Sequence, residues 1–213
     1  MNQRLMLALS LLVDPELIIL DEPTTALDVI TQSYIFRLLK EINREKGISM
    51  LLMTHDISVV AKFADYVGVM YGGRLMEYGS VQRIFGLRSH PYTAGLIGAT
   101  PSIIGDIKNM KPIEGSPPDL LNLPDGCVFA PRCQRCREEC LSAEPPDESA
   151  DGIRWKCYFY GEDLNEKNEK IFTEFNNVRE IETNGTNSSY FDFVITFPSK
   201  SIRPYFPFSS YLS

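Results

Sequence analysis

The segment LIILD at residues 17–21 constrains the fold most. Four apolar residues, Leu17-Ile18-Ile19-Leu20, run straight into the adjacent acids Asp21 and Glu22. A short, unalternating apolar run is the pattern of a strand buried on both faces in a parallel sheet. A parallel neighbour requires a crossover. The next residues offer one, because Asp28 is placed to cap an amphipathic helix over 29–45 that Gly47 ends. Its inward face is expected to carry Ile35, Leu38, Leu39 and Ile42. A second apolar strand, ISMLLMT, follows and runs into His55-Asp56. Both strands therefore carry polar groups to the carboxyl edge of the sheet, where open α/β sheets bind ligands.

The chemistry of those groups is specific. An Asp at a strand end can hold Mg²⁺, and the Mg²⁺ can bridge nucleotide phosphates. A neighbouring Glu can orient and deprotonate an attacking water. Taken alone, two acids at a strand end are equally well read as solvated termini.

The remaining elements are shorter. Residues 1–13 predict a helix with Leu5, Leu9 and Leu12 on one face. Asp56 is placed to cap a helix over 57–64, and Ser80 to cap another. YVGVMYGGRLMEYG predicts a hairpin turning at Gly72-Gly73. HPYTAGLIGATP places Pro91 at the first position of a helix that stops by Pro101, with His90 at its entry. From residue 101 the pattern changes to Pro-, Gly- and Asp-rich sequence, then to a cysteine-bearing segment, then to an aromatic, Ser- and Pro-rich tail.

Composition narrows the class. Of 213 residues, 44% are hydrophobic and 23% charged, and the net charge is -7. That balance argues against nucleic acid as the main partner, since binding there rests on neutralising phosphates. No apolar run approaches the length of a membrane span.

The block MNQRLMLALSLLVDPELIILDEPTTALD, followed by MTHD, strongly resembles the ATP-binding subunits of ABC transporters. Asp21-Glu22 resembles the Walker B motif, Ala26-Leu27-Asp28 the D-loop, and His55 the switch histidine. The resemblance implies that Asp21 helps hold Mg²⁺, Glu22 polarises the lytic water, and His55 contacts the γ-phosphate of ATP. It implies that Asp28 crosses a dimer interface to the opposite ATP site. The implied fold is α/β: the C-terminal part of a P-loop NTPase sheet of the ABC type, with a small irregular cysteine-bearing extension. The implied organisation is the nucleotide-binding part over 1–100, the extension over 101–160, and a divergent or disordered tail over 161–213. A helix at 170–182 is the one element expected in that tail.

Five cysteines occur, all after residue 126. Cys127, Cys133, Cys140 and Cys157 follow a Cys-x5-Cys-x6-Cys-x16-Cys pattern. Four thiolates can hold a [4Fe–4S] cluster or a tetrahedral zinc, and free thiols remain the plain alternative. Cys136 creates a Cys133-x2-Cys136 pair and hence rival ligand sets. With HPYTAGLIGATP, this segment resembles the C-terminal extension of oligopeptide/dipeptide permease ATP-binding subunits. Some members carry an iron–sulfur cluster there, so that assignment is preferred.

The resemblance implies a peripheral protein on the cytoplasmic membrane face. It would pair with a second ATP-binding subunit, drive transmembrane permease subunits, and couple ATP hydrolysis to peptide import, with nickel as the rival cargo. No GxxxxGK[ST] loop occurs in the sequence, and Met1 reads as the fifth residue of a signature motif. The chain alone is therefore expected to hydrolyse ATP negligibly, and Leu17–Leu20 to leave an apolar strand edge uncovered. A non-catalytic metal-binding or docking fragment is the rival of a different class. A soluble ABC-type ATPase acting on DNA is a third, disfavoured by the acidic charge.

Overall fold

The computed structural model describes residues 2–24, 27–86, 90–100, 113–161 and 193–197. The chain opens with helix α1 (Asn2–Leu11), strand β1 (Leu17–Asp21) and helix α2 (Val29–Lys46). Strand β2 (Ser49–Thr54) then pairs with β1 in parallel, setting Leu17 opposite Ser49 and Asp21 opposite Met53. The mixture of helix and parallel strand is the expected α/β class.

Local chemistry sets the bounds of the α2 crossover. The Asp28 carboxylate accepts from the Thr31 N–H at 2.9 Å, satisfying one of the unpaired donors at the helix start. At the other end Gly47 takes a left-handed conformation, φ 70°, and its N–H returns to the Asn43 carbonyl. The Asn43 side chain donates to the Ile48 carbonyl at 2.7 Å, which fixes the turn into β2. Ile35, Phe36 and Leu39 are buried under the sheet, Ile42 packs at the margin, and Phe36 stacks on Phe63. Leu38, expected inward, is 36% exposed. The helix rotates so that Phe36, the larger side chain, takes the core position.

Helix α3 (Ile57–Phe63) starts at Asp56, whose carboxylate accepts from the N–H groups of Ser58 and Val59. Strands β3 (Tyr66–Tyr71) and β4 (Arg74–Ser80) form the expected hairpin. Both turn residues, Gly72 and Gly73, have positive φ, as a two-residue hairpin turn demands. Helix α4 (Val81–Gly86) packs back on β4, and α5 (Pro91–Ala99) follows.

Residues 113–161 are mostly irregular, as expected of an arm. They contain a 3-10 turn at Ala130–Arg132, helix α6 (Glu138–Ser142) and two short strands, β5 (Glu148–Ala150) and β6 (Ile153–Trp155). Strand β6 pairs with β4, so the arm extends the same sheet. An aromatic cluster joins the two regions. Tyr71 of β3, Tyr92 of α5 and Phe129 of the arm have ring centroids 4.6–5.2 Å apart.

Other expectations change. The helix expected over 1–13 ends at Leu11, and Leu5 and Leu9 of α1, with Leu12 just beyond it, are 61%, 49% and 74% exposed; Leu7 and Leu11 pack on the core instead. The tail contributes a strand that was not expected. Strand β7 (Phe193–Phe197) lies between β2 and β3, antiparallel to both, and the sheet order is β1-β2-β7-β3-β4-β6-β5. The helix expected at 170–182 lies outside the described residues. Among the described residues β1 ends the sheet, and Leu17 and Ile19 stand exposed on its open face. The uncovered edge is as expected, but burial on both faces is not: only Ile18 and Leu20 of β1 are buried, because no strand or helix among the described residues covers its other side.

Position 47 gives a clean test of this architecture. A Cβ at Gly47 meets nothing within 4 Å, so substitution acts through the backbone alone. Gly47→Ala is expected to cost about 1–2 kcal/mol of stability, the price of a left-handed L-residue. Gly47→Asn is expected to cost less, and denaturant titration of the two variants checks the order.

Candidate active site and cysteine cavity

The parallel register carries Glu22 to His55. The Glu22 N–H donates to the Met53 carbonyl at 2.9 Å, extending the β1–β2 ladder one residue past Asp21. There the backbone swings into the left-handed region, φ 41°, a conformation that is strained for any residue with a Cβ. On the next strand His55 is held between the end of β2 and the Asp56 cap. Thr54 Oγ1 accepts from the Asp56 N–H at 3.2 Å, which ties the two together. His55 Nδ1 then meets Glu22 Oε1 at 2.7 Å, with both side chains a little under half exposed.

A carboxylate in hydrogen-bond contact with an imidazole can pass or hold a proton, and the pair is open enough to reach a ligand. A proton on Nδ1 is donated to Glu22, and Nε2 then remains for a ligand. Asp21 sits one residue back on the exposed face of β1, opposite Met53. Asp28 is engaged at the start of α2, where the Thr31 N–H holds its carboxyl below the ordinary range. The structure thus joins Glu22 with His55, keeps Asp21 at the same strand end, and places Asp28 as a helix cap.

The second centre is in the arm. Cys127, Cys133, Cys140 and Cys157 line one small cavity together with His90, Phe129 and Tyr158. The Cys127 N–H donates to the Cys140 carbonyl at 2.8 Å, closing the loop that carries three of the four. Gly126 makes this closure feasible, because a Cβ there would collide with the Cys140 carbonyl and the Leu141 backbone. Cys136 is not among the lining residues, and its thiol faces the Arg137 carbonyl.

Burial raises the thiols of Cys127 and Cys133, and pushes Cys157 up to about 11. Their mutual repulsion adds to the effect and reflects how closely they gather. Among the described residues no three Cys, His, Asp or Glu side chains converge as a single bound metal ion requires. Trp155 stacks on Tyr160 at 4.4 Å rather than facing the cavity, whereas Tyr158 does line it.

A buried polar cluster behind this cavity was not read from the sequence. Glu77 of β4 is fully buried; its Oε1 accepts from the Tyr160 hydroxyl at 2.6 Å and its Oε2 from the His90 N–H at 3.0 Å. His90 Nδ1 in turn accepts from the Tyr92 N–H, capping α5 as its position before Pro91 suggested. Its ring also bonds the Lys156 backbone, beside Cys157, and burial pushes its pKa down to about 3, so it is neutral. The one signal of this cluster in the sequence was a carboxylate inside the otherwise uncharged LMEYG.

The fold and site define a class: an open α/β protein with an acid–imidazole pair at the carboxyl ends of two parallel strands. Comparison with known proteins shows what the chain is similar to. Residues 76–140 match the family described as oligopeptide/dipeptide transporter, C-terminal region. The chain is 48% identical over 163 residues to the dipeptide transport ATP-binding protein of Caldanaerobacter subterraneus subsp. tengcongensis, covering 76% of this chain and 50% of that one. It is 46% identical over 164 residues to the oligopeptide transport ATP-binding protein of Escherichia coli, covering 77% and 49%. By sequence the chain is a relative of these peptide-transport ATP-binding proteins, and it carries their C-terminal region. It spans about half the length of the curated relatives it matches.

Glu77 gives a pH signature. Burial pushes its carboxyl from 4.5 up to about 7. The nearby Thr93 hydroxyl, which falls short of full hydrogen-bond geometry, opposes that rise, as do Tyr160 and the His90 N–H. Between those two values the folded chain keeps a proton that the unfolded chain has lost. The stability from this group is therefore complete below about 4.5 and declines as pH rises through about 7. Thermal melts across that window are expected to show the decline. Glu77→Gln is expected to melt lower throughout, by misplacing an amide donor against the His90 N–H, and to flatten the slope.

Proposed function

We propose that this chain supplies the hydrolytic strand ends of an ATP-binding subunit in an ABC transporter that imports oligopeptides or dipeptides. The observation that carries this reading is the 2.7 Å contact between Glu22 and His55 at adjacent strand ends. Its setting is a chain whose relatives are named as peptide-transport ATP-binding proteins. Asp21, carboxyl-terminal on β1 and exposed, has the hard oxygen ligands that Mg²⁺ takes. When bound, Mg²⁺ supplies charge neutralisation at the phosphates.

Glu22 orients a water and takes its proton as the water oxygen bonds the γ-phosphorus. The bond to the β–γ bridging oxygen breaks, leaving ADP and phosphate. His55, held by Glu22 through Nδ1, presents Nε2 toward the transferring phosphoryl group. Asp28 caps α2 and, in this reading, faces a second ATP-binding subunit. The partners are that subunit and transmembrane permease subunits, which hold the chain at the cytoplasmic membrane face. Among the described residues no helix is long and apolar enough to cross a membrane.

The test uses the transporter assembled with its partner subunits. Glu22→Gln is expected to lower ATP turnover by about 10²–10⁴-fold, the range for a lost general base, while nucleotide still binds. Unchanged turnover would overturn the assignment. The sequence contains no GxxxxGK[ST] loop, so the purified chain alone is expected to show negligible hydrolysis. A Glu22-dependent rate from the isolated chain would refute that. The absence of Mg-ATP affinity both alone and in the assembly would favour a purely docking role.

We read the cysteine cavity as a metal-cluster site on the strength of its four thiols. Its lining brings Cys127, Cys133, Cys140 and Cys157 together. Cys127, Cys133, Cys140 and Cys157 would hold a [4Fe–4S] cluster, which supplies folding energy to an arm with little core of its own. Tetrahedral zinc is the alternative for the same four thiols. Anaerobic reconstitution is expected to load iron and sulfide in equal amounts. Cys127→Ser is expected to abolish loading and Cys136→Ser to retain it. Zinc without iron would select the other metal.

A further inference from the structure

Three of the four cavity cysteines are set by their own loop, and the fourth is not. Within 127–140 the Cys127 N–H donates to the Cys140 carbonyl at 2.8 Å, the Ala130 N–H to the Cys127 carbonyl at 2.9 Å, and the Cys133 N–H to the Ala130 carbonyl at 3.2 Å. Cys157 arrives from a separate segment, just past β6. We propose that His90 is the positioning residue that brings Cys157 to the other three, acting through the Lys156 carbonyl. The proposal rests on the four-cysteine reading above, but not on which metal those cysteines take.

The two ring nitrogens divide the work. Nδ1 accepts from the Tyr92 N–H at 3.1 Å, so the proton of the neutral ring sits on Nε2. Nε2 is then a donor, and the backbone group it meets is the Lys156 carbonyl. That carbonyl belongs to the planar peptide unit that ends at the Cys157 Cα, so holding it fixes the direction in which the chain enters Cys157. The Lys156 N–H donates to the Met76 carbonyl of β4 at 2.9 Å, which pins the preceding unit as well. His90 is itself firmly placed: it is 1% exposed, and Glu77 Oε2 accepts from its N–H at 3.0 Å. An imidazole lining a cysteine cavity is ordinarily a candidate ligand. Here both nitrogens are spent, so His90 lines the cavity without a lone pair to give, and acts on the site through Cys157. A shift of α5 would be passed to the fourth thiol and leave the other three in place.

Amide side chains can copy the two nitrogens one at a time. Asparagine reaches the Nδ1 position and keeps the helix cap, but falls short of Lys156. Glutamine reaches the Nε2 position and can donate to the Lys156 carbonyl. The measurement is cross-linking of the reduced, metal-free full chain with the short dithiol reagent dibromobimane, mapped by peptide mass spectrometry. The unaltered chain is expected to give a Cys127–Cys140 link and a link from Cys157 to one of the other three. His90→Asn is expected to keep the first and to lose the second by at least about tenfold, as lost proximity demands. His90→Gln is expected to keep both. A Cys157 link that survives in His90→Asn, or fails in His90→Gln, overturns the positioning role and leaves the four-cysteine reading standing. If His90→Asn loses both links, His90→Gln decides: both kept supports the role, and both lost overturns it. No Cys157 link in the unaltered chain overturns the four-cysteine reading, and the proposal with it.

Discussion

The parallel pairing of β1 with β2 is the constraint on which the rest depends. Because the strands run the same way, both deliver their following residues to one edge of the sheet. Because Asp21 registers with Met53, the next step of the ladder brings Glu22 alongside the turn that holds His55. A slip of one residue would reverse the faces of β1 and separate acid from imidazole. The caps at Asp28, Gly47 and Asp56 matter because they hold that register: each fixes where a crossover begins or ends.

The arm follows the same logic at one remove. Its strand β6 borrows the edge of β4, and its aromatic and polar anchors reach back to Tyr71, Tyr92 and Glu77. The Tyr160 hydroxyl and the His90 N–H divide the two oxygens of Glu77 between the arm and α5. The cysteine cavity is thereby seated on the main sheet, so a group bound there would be felt along β4.

What the sequence made legible was local. The apolar run of β1, the Asp28 and Asp56 caps, the Gly72-Gly73 turn and the Pro91 helix start each depend on residues a few positions apart. The Glu22–His55 pair was legible through the strand ends and the family resemblance, but their contact needed the β1–β2 register. Leu5, Leu9 and Leu12 illustrate the limit: periodicity placed them on one face of α1 but could not say whether anything covers it. Glu77 was opaque because its partners lie 13 and 83 residues away. Strand β7 was missed although FVITF is an aromatic, β-branched run, because nothing in the run itself names β2 and β3 as its neighbours.

The left-handed backbone at Glu22 sets stability against chemistry at one position. The turn after β1 would be better served by glycine or asparagine, which occupy positive φ at little cost. A glutamate there is retained against the preference of the fold. In a lineage that no longer required its carboxylate, substitutions at this position would be favoured by folding alone. Replacement by glycine or asparagine would then be an early mark of a copy that has kept its shape and given up its reaction.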